Sequence, residues 1–303
     1  MTADSAFVTR FAPSPTGPLH LGHAYSAMLA HDMAQAAGGR FVLRIEDIDQ
    51  SRARAEWEAQ IYTDLDWLGL HWETPVMRQS ERMQAYRDTL DQLWWDRLLY
   101  VCTCNRRDIQ DAASAPQEGA PLIGADGIVY PGTCRNSDVE RDHYPSPAPI
   151  GQTLRLDMGA IAKGARDEGT VAFQETGLGP QNESGWVKYS LETLCATIGD
   201  VVLARRDIGA SYHLAVVLDD AAQGITDVVR GADLFEATAI HVALQRLLDL
   251  PVPRYHHHRL IRDDSGKRLA KRDDARAISK YREDGYRPQD IRTLLGLETP
   301  PAR

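Results

Sequence analysis

The 303-residue sequence contains few cysteines, no long apolar run and no excess of basic residues. Its four cysteines are too few for a disulfide framework in a chain of this size. No apolar stretch approaches the roughly 20 residues of a membrane-spanning helix, and the N-terminal MTADSAF lacks the basic and apolar regions of a secretory signal. A net charge of −9 argues against a surface coated with positive charge for indiscriminate nucleic-acid binding. We therefore expect a globular protein of the cytoplasm without membrane association.

Hydrophobic periodicity predicts alternating strands and helices in the first hundred residues. FVTRF (7–11) and RFVLRIED (40–47) are typical of buried strands, and apolar residues recur at helical spacing after each of them. This order predicts an α/β fold with a parallel sheet. Strand texture returns at 200–207 and in YHLAVVLDD (212–220), followed by a helix over 233–249, a strand over 255–261 and two short C-terminal helices.

The middle of the chain breaks this pattern and is rich in proline and glycine. We expect 1–100 and 196–262 to be the two halves of one α/β domain. The segment 101–195 is then an inserted connective unit, and 263–303 holds a basic loop and the C-terminal helices. The insertion carries Cys102, Cys104 and Cys134. Three thiolates in a cytoplasmic protein predict a structural zinc site, for which His143 is the first guess as fourth ligand on general grounds.

Two histidines, His20 and His23, flank Leu21-Gly22 where a Pro/Gly-rich loop gives way to helical periodicity. A helix N-terminus offers unpaired backbone N–H groups that favour phosphate. Gly22 has no Cβ, so a nucleotide can approach the backbone closely. Both histidines would share one helical face and could donate hydrogen bonds to phosphate oxygens. Taken alone, the pair is better explained as a helix cap or as part of a polar core.

A second candidate phosphate site lies in DDSGKRLAKRDDA (263–275), which carries Arg268 and Lys271. A basic loop suits a polyphosphate leaving group, whose charge grows as it departs, although a solvated charge run is the commoner explanation for any single loop. Together, HLGH (20–23) and RLAKR (268–272) resemble the HIGH and KMSKS signatures of class I aminoacyl-tRNA synthetases. Arg268 replaces the first lysine of the second signature, and Ala270 replaces its serine.

The resemblance to class I synthetases implies a Rossmann-like catalytic domain that binds ATP with Mg²⁺. It implies that His20, His23 and Lys271 are catalytic. It also implies that these three residues bind ATP together with Gly22 and Arg268.

Four stretches resemble the glutamyl branch of that class: RFAPSPTGPLHLGH, LRIEDID, YHLAVVLDD and VVRGADL. Glutamate carries two carboxylates and one ammonium, which call for guanidinium groups and an acid. Arg10 and Arg230 are the candidate carboxylate ligands, and Glu46 suits the ammonium. Tyr212 can supply a hydroxyl and pack as one wall of the pocket. Which arginine binds which carboxylate stays open. By resemblance, the following residues line the glutamate pocket: Arg10, Phe11, Ala12, Pro13, Ser14, Glu46, Tyr212 and Arg230.

The pattern Cys-x-Cys…Tyr-x-x-x-Cys resembles that of the glutamyl-queuosine tRNA(Asp) synthetases, a family of short relatives of the glutamyl enzymes. The resemblance implies that Tyr130 is the fourth zinc ligand, one zinc being held per chain. Only 31 residues follow Arg272, so we expect no anticodon-binding domain. The family activates glutamate with ATP and esterifies it to the queuosine base in the anticodon of tRNA(Asp). No obligate protein partner is evident.

Three alternatives remain at this point. The chain could be a small-molecule ligase of the same superfamily, such as a pantothenate-synthetase-like enzyme, although the glutamate-pocket residues and the cysteines argue against this. It could charge tRNA(Glu) with an anticodon domain on a separate chain. It could also be a degenerate paralogue that binds tRNA or a protein without catalysis, against which the intact His20, His23, Lys271 and Glu46 argue.

Overall fold

A parallel three-stranded sheet begins the fold, in the order β1-β2-β3. Its strands are β1 (Val8–Phe11), β2 (Arg40–Ile45) and β3 (Glu73–Arg78). Helices α1 (Leu21–Ala36) and α2 (Ala55–Trp67) connect them, as parallel pairing requires crossover connections. The computed structural model describes residues 6–113, 123–125, 127–135, 147–164, 169–262 and 276–298.

A second sheet continues the α/β arrangement with four strands, in the order β11 (Asp227–Gly231), β12 (Arg254–His258), β8 (Thr170–Glu175) and β9 (Gly185–Ser190). Strands β11, β12 and β8 are parallel to one another, whereas β9 is antiparallel to β8. The Thr226 N–H donates to Val8 O at 2.9 Å, which joins the start of β11 to β1 of the first sheet.

A third, antiparallel sheet has the order β10-β7-β4 and joins the middle segment to the chain on either side of it, and β5 and β6 form a separate two-stranded hairpin. The strands of this sheet and of the hairpin are β4 (Leu99–Cys102), β5 (Ile123–Gly124), β6 (Gly127–Ile128), β7 (Thr153–Leu156) and β10 (Val202–Ala204). Strands β8 and β9 also fall within 101–195, yet they belong to the parallel sheet of β11 and β12. The domain boundaries given above therefore stay a prediction.

The remaining helices cover the sheets. They are α3 (Met83–Trp95), α4 (Arg106–Ala113), α5 (Met158–Gly164), α6 (Leu191–Thr197), α7 (Tyr212–Ala222), α8 (Ala237–Leu247), α9 (Ile278–Glu283) and α10 (Pro288–Leu295). One apolar core lies between α3, α7, α8 and the second sheet, and another lies between α1, α2, α10 and the first sheet. Arg292 of α10 forms two hydrogen bonds of 2.7 Å with Asp32 of α1, which ties the C-terminal helices to the first sheet.

One strand prediction is wrong: YHLAVVLDD (212–220) forms helix α7. Leu214, Ala215, Val216 and Val217 are all buried, so a helix that is apolar on every side mimics a buried strand in the sequence. The Ser211 side chain accepts a hydrogen bond from the Leu214 N–H at 3.3 Å and caps this helix. Within the described parts of the chain, no helix is both long and apolar enough to cross a lipid bilayer.

Candidate active site

Three strand ends bring predicted site residues to one cavity of about 370 Å³. Arg10 lies near the end of β1, Glu46 directly follows β2, and Arg230 lies near the end of β11. The carboxyl ends of parallel strands are the usual place for ligands in open α/β sheets. The cavity is also lined by Phe11, Ala12, His20, Gly22, His23 and Tyr212. The structure thus brings six of the eight predicted glutamate residues and three of the five predicted ATP residues to a single cavity.

A buried carboxylate holds Arg10 in place. The guanidinium of Arg10 donates from Nε to Asp220 Oδ1 at 3.0 Å and from Nη2 to Asp220 Oδ2 at 3.3 Å. Arg44, which is fully buried, donates from Nη1 to the same Asp220 Oδ1 at 2.7 Å. Burial raises the pKa of Asp220, but the two guanidinium groups outweigh it and hold that pKa below its ordinary value.

Glu46 is held by the other end of Arg44, whose Nη2 donates to Glu46 Oε1 at 3.2 Å. The Glu46 backbone N–H donates to Pro13 O at 3.0 Å, which joins the Pro-rich loop to the end of β2. Burial raises the pKa of Glu46, and the charges of Arg44 and Arg10 oppose that rise. A substrate ammonium beside this carboxylate would favour its charged form in the same way.

Arg230 is fixed by four hydrogen bonds from its guanidinium. Nε donates to His257 Nε2 at 3.1 Å, and Nη1 lies 3.1 Å from His241 Nδ1. Nη2 donates to Thr238 Oγ1 at 2.7 Å and to Leu234 O at 3.2 Å. The side chain is 6% exposed, so these partners set where its remaining N–H points.

Tyr212, the first residue of α7, lines this cavity and a second one of about 830 Å³. Glu46 also lines both, so the two cavities meet at the predicted amino-acid site. Burial and the nearby Glu46 raise the pKa of Tyr212, so its phenol is neutral and can donate a hydrogen bond. Ser14 lines only the second cavity, and Pro13 lines neither cavity.

The two histidines of HLGH cap α1 and line the first cavity at the same time. The Gly22 N–H donates to His20 Nδ1 at 3.1 Å, and the His20 N–H donates to His23 Nδ1 at 3.2 Å. Each Nδ1 accepts a hydrogen bond, so the proton of each neutral ring lies on Nε2. Both rings therefore present an Nε2–H donor. Arg268 and Lys271 lie outside the described residues.

The predicted zinc ligands form a separate cluster. The Sγ atoms of Cys102, Cys104 and Cys134 all lie within 4.8 Å of one another. Tyr130 Oη is 3.5 Å from both Cys102 Sγ and Cys104 Sγ, and Cys104 Sγ is 3.4 Å from Cys134 Sγ. Tetrahedral zinc with bonds of about 2.3 Å to sulfur and about 2.1 Å to oxygen requires edges of about 3.6–3.8 Å. These four side chains therefore fit a zinc ion, and His143 lies outside the described residues.

The surroundings of the cluster shift the pKa values of two of its thiols in opposite directions. Burial alone would raise the pKa of Cys134, but hydrogen bonds from Tyr130 and Thr103 outweigh it and lower the pKa to about 6. Burial raises the pKa of Cys104 to about 11. Cys195 lies in α6, where its thiol donates to Met158 O at 3.1 Å, and it is not among the clustered cysteines.

Sequence reasoning missed the groups that hold the predicted arginines: Arg44, Asp220, His241, His257 and Glu175. Asp220 and Arg44 lie within the quoted YHLAVVLDD and LRIEDID stretches, yet nothing in the spacing shows that they pair across 176 residues. A charged residue inside an otherwise apolar run is the one signal that could have marked them, because such residues are rarely buried without a partner.

Comparison with known proteins identifies the family to which the chain belongs. Residues 6–300 match the family described as tRNA synthetases class I (E and Q), catalytic domain. A protein of Rhodobacter capsulatus named glutamyl-Q tRNA(Asp) synthetase is 63% identical over 290 residues, covering 96% of this chain and 100% of the relative. The chain belongs to the glutamyl-Q tRNA(Asp) synthetase family. It is therefore a ligase with a class I synthetase catalytic domain, as the sequence predicted.

Other relatives support the same family. A glutamyl-Q tRNA(Asp) synthetase of Nitratidesulfovibrio vulgaris is 39% identical over 297 residues, covering 95% of this chain and 85% of the relative. The crystal structure of a glutamate tRNA ligase from Elizabethkingia meningosepticum, in complex with its amino acid, superposes with a TM-score of 0.67 at 25% identity. That match covers 94% of this chain, which spans 59% of the ligase.

Proposed function

We propose that this chain activates L-glutamate with ATP to glutamyl-adenylate without tRNA. It then transfers glutamate to the queuosine base in the anticodon of tRNA(Asp). The observation that carries this proposal is the single cavity in which Arg10, Glu46, Arg230 and the HLGH histidines meet. It combines cations for carboxylates, an acid for an ammonium and donors for phosphate in a member of this family.

In the activation step, a carboxylate oxygen of glutamate attacks the α-phosphorus of ATP. The bond between the α-phosphorus and the oxygen that bridges it to the β-phosphorus breaks, which releases pyrophosphate. Arg10 and Arg230 bind the glutamate carboxylates, and Glu46 binds the ammonium. Tyr212 forms one wall of the glutamate pocket. The Nε2–H groups of His20 and His23 and the ammonium of Lys271 stabilise the charge that develops on the phosphates. Mg²⁺ bound to the ATP would neutralise part of that charge.

The way in which the amino-acid residues are held supports activation without tRNA. Arg10 is fixed by Asp220, Glu46 by Arg44, and Arg230 by its histidine and threonine partners. All of these partners are buried residues of the same fold, so the protein alone holds the proposed glutamate ligands. Such preorganised groups favour positioning and electrostatic stabilisation of the adenylation step.

The transfer step uses the second cavity. It begins at Glu46 and Tyr212 and extends to Arg155 and Tyr130, with a volume of about 830 Å³ that suits a nucleoside. A nucleoside hydroxyl attacks the glutamyl carbonyl, loses its proton and displaces AMP. The bases of an anticodon loop are splayed outward and can enter such a space singly. The relatives are named glutamyl-Q tRNA(Asp) synthetase, and on this basis we take the nucleoside to be queuosine and its carrier to be tRNA(Asp).

Zinc is the proposed structural metal, held by Cys102, Cys104, Tyr130 and Cys134. The metal would fix the ring of Tyr130, which lines the second cavity. The Arg155 guanidinium lies 3.9 Å from the centroid of that ring, so it stacks on the ligand and shares the same cavity wall. The metal would thus order the wall on the acceptor side of the site.

The test combines pyrophosphate exchange with label transfer. Exchange dependent on L-glutamate should proceed in the absence of any tRNA. Labelled glutamate should then reach tRNA(Asp) containing queuosine, and after nuclease cleavage the label should remain with the anticodon fragment. Exchange that requires tRNA would refute the first step. Label on the terminal adenosine of tRNA(Glu) would indicate a glutamyl-tRNA synthetase that uses a separate anticodon domain, and absence of exchange would indicate a non-catalytic paralogue.

A further inference from the structure

We infer that His257 and His241 are positioning residues that hold Arg230 as neutral acceptors and thereby set the affinity for glutamate. The inference rests on the proposed role of Arg230 as a carboxylate ligand. Neither histidine lines the glutamate cavity, so both would act on the substrate only through the guanidinium.

The hydrogen bonds of His257 allow one arrangement of protons. A guanidinium can only donate, so the bond of 3.1 Å from Arg230 Nε makes His257 Nε2 an acceptor. The ring proton must then lie on Nδ1, which is 2.5 Å from Glu175 Oε2. Glu175 also accepts from the His257 N–H at 2.9 Å and from the Gly177 N–H at 2.7 Å, which fixes the carboxylate behind the ring.

The same reasoning applies on the other side of Arg230. His241 Nδ1 lies 3.1 Å from Arg230 Nη1 and must accept from it, so the proton of His241 lies on Nε2. That Nε2 is 3.1 Å from His213 Nδ1, which therefore accepts. Burial and the charge of Arg230 keep the pKa of His241 well below its ordinary value, in agreement with a neutral ring.

These contacts leave little freedom for the substrate ligand. Of the five N–H groups of Arg230, four are directed to His257, His241, Thr238 and Leu234. Among the described contacts, one Nη1–H of Arg230 is left over, and this donor can bind a glutamate carboxylate. A small rotation of the guanidinium would misdirect this single donor, so loss of either histidine acceptor should weaken glutamate binding and spare ATP binding.

The experiment measures pyrophosphate exchange of the full chain with three variants: His257→Phe, His257→Gln and the control His256→Gln. Phe keeps an aromatic ring without an acceptor, whereas the Gln amide oxygen can replace Nε2 as acceptor. His256 is the neighbour on β12, but it bonds Thr176 Oγ1 at 3.1 Å, and none of the described hydrogen bonds joins it to Arg230. Thermal unfolding of each variant checks that it is folded.

We expect His257→Phe to raise the KM for glutamate about 10- to 100-fold, as for loss of a hydrogen bond to a charged group. The KM for ATP should stay within about twofold, and His257→Gln should recover most of the glutamate KM. His256→Gln should match the wild type. A variant that lost only folded fraction would lower kcat without changing either KM.

A double-mutant cycle with Arg230→Lys separates this inference from the proposed function. If His257 acts through Arg230, His257→Phe should add little to the glutamate KM of the Arg230→Lys variant. Additive effects, or an unchanged glutamate KM in His257→Phe, would overturn the inference while the exchange reaction itself stands. A wild-type protein without glutamate-dependent exchange would instead overturn the proposed function.

Discussion

Asp220 is the residue whose replacement should disturb the amino-acid site most, because its carboxylate neutralises two buried guanidinium groups. Asp220 is 5% exposed, Arg10 is 6% exposed and Arg44 is 0% exposed. Asp220→Asn keeps the shape of the side chain but removes its charge. It also turns one oxygen into an amide NH₂, a donor that faces the donors of the arginines.

The size of the effect follows from breaking a buried ion pair. Removing one partner of such a pair typically costs about 3–5 kcal/mol, because the other charge stays buried without compensation. At about 2–4 °C per kcal/mol for a large domain, the melting temperature should fall by about 6–20 °C. Arg10 also loses both bonds that direct it, so the KM for glutamate should rise about 10- to 100-fold, as for lost hydrogen bonds to a charged group.

Thermal unfolding and pyrophosphate exchange measure the two effects, with Asp227→Asn as the matched control. Asp227 is also buried and pairs with Arg254 at 2.8 Å, but the Arg254 side chain is 48% exposed. A pair open to water is worth about 1 kcal/mol or less, so the control should change stability little and the glutamate KM not at all. Equal losses in the two variants would refute the reasoning.

The pH dependence of the Asp220→Asn effect adds a second check. Arg10 and Arg44 hold the pKa of Asp220 below its ordinary value, so its contribution to stability is present above a pH of about 4. The contribution is lost as the pH falls through the pKa of the folded state. The stability difference between wild type and variant should therefore be constant near neutral pH and shrink below a pH of about 4.

Four further predictions concern the other parts of the site. Lys271→Ala should reduce pyrophosphate exchange about 10²- to 10³-fold with an unchanged melting temperature. Elemental analysis should find one zinc per chain, and Tyr130→Phe should lose it while His143→Ala retains it. Burial lowers the pKa of His241 and His257, so unfolding free energy should fall as the pH drops below about 6.5. Exchange with L-glutamine should be about 10²- to 10⁴-fold slower than with L-glutamate, at equal concentrations.

The sequence was sufficient for the elements whose pattern is local. The strand at 40–47, the helix after HLGH and the two short C-terminal helices are present as predicted, because each shows its own periodicity and its own glycine or proline boundary. The prediction failed at 212–220, where burial on all sides removes the polar stripe that distinguishes a helix. Arg10, Glu46 and Arg230 lie at strand ends, and the roles that the resemblance implies for them stay predictions.

The partners of the site residues could not be predicted, because their pairing depends on the fold. Arg10 and Asp220 are 210 residues apart in sequence, and Glu175 and His257 are 82 apart. Each of these residues alone is compatible with a surface ion pair. Only the parallel register, in which Arg230 lies opposite His257, brings the members of the network together.

The proposed carboxylate ligands predict that glutamate is preferred over glutamine. The buried groups around the site are balanced in charge: Arg10, Arg44 and Arg230 bring three positive charges, and Asp220, Glu46 and Glu175 bring three negative ones. The proposed function gives Arg10 and Arg230 the two carboxylates of glutamate. Glutamine replaces its side-chain carboxylate with an amide, which leaves one buried guanidinium without its anionic ligand at a cost of about 3–5 kcal/mol. Asp220→Asn changes the support of Arg10 and not the charge of the substrate, so it should weaken glutamate binding without making glutamine a better substrate.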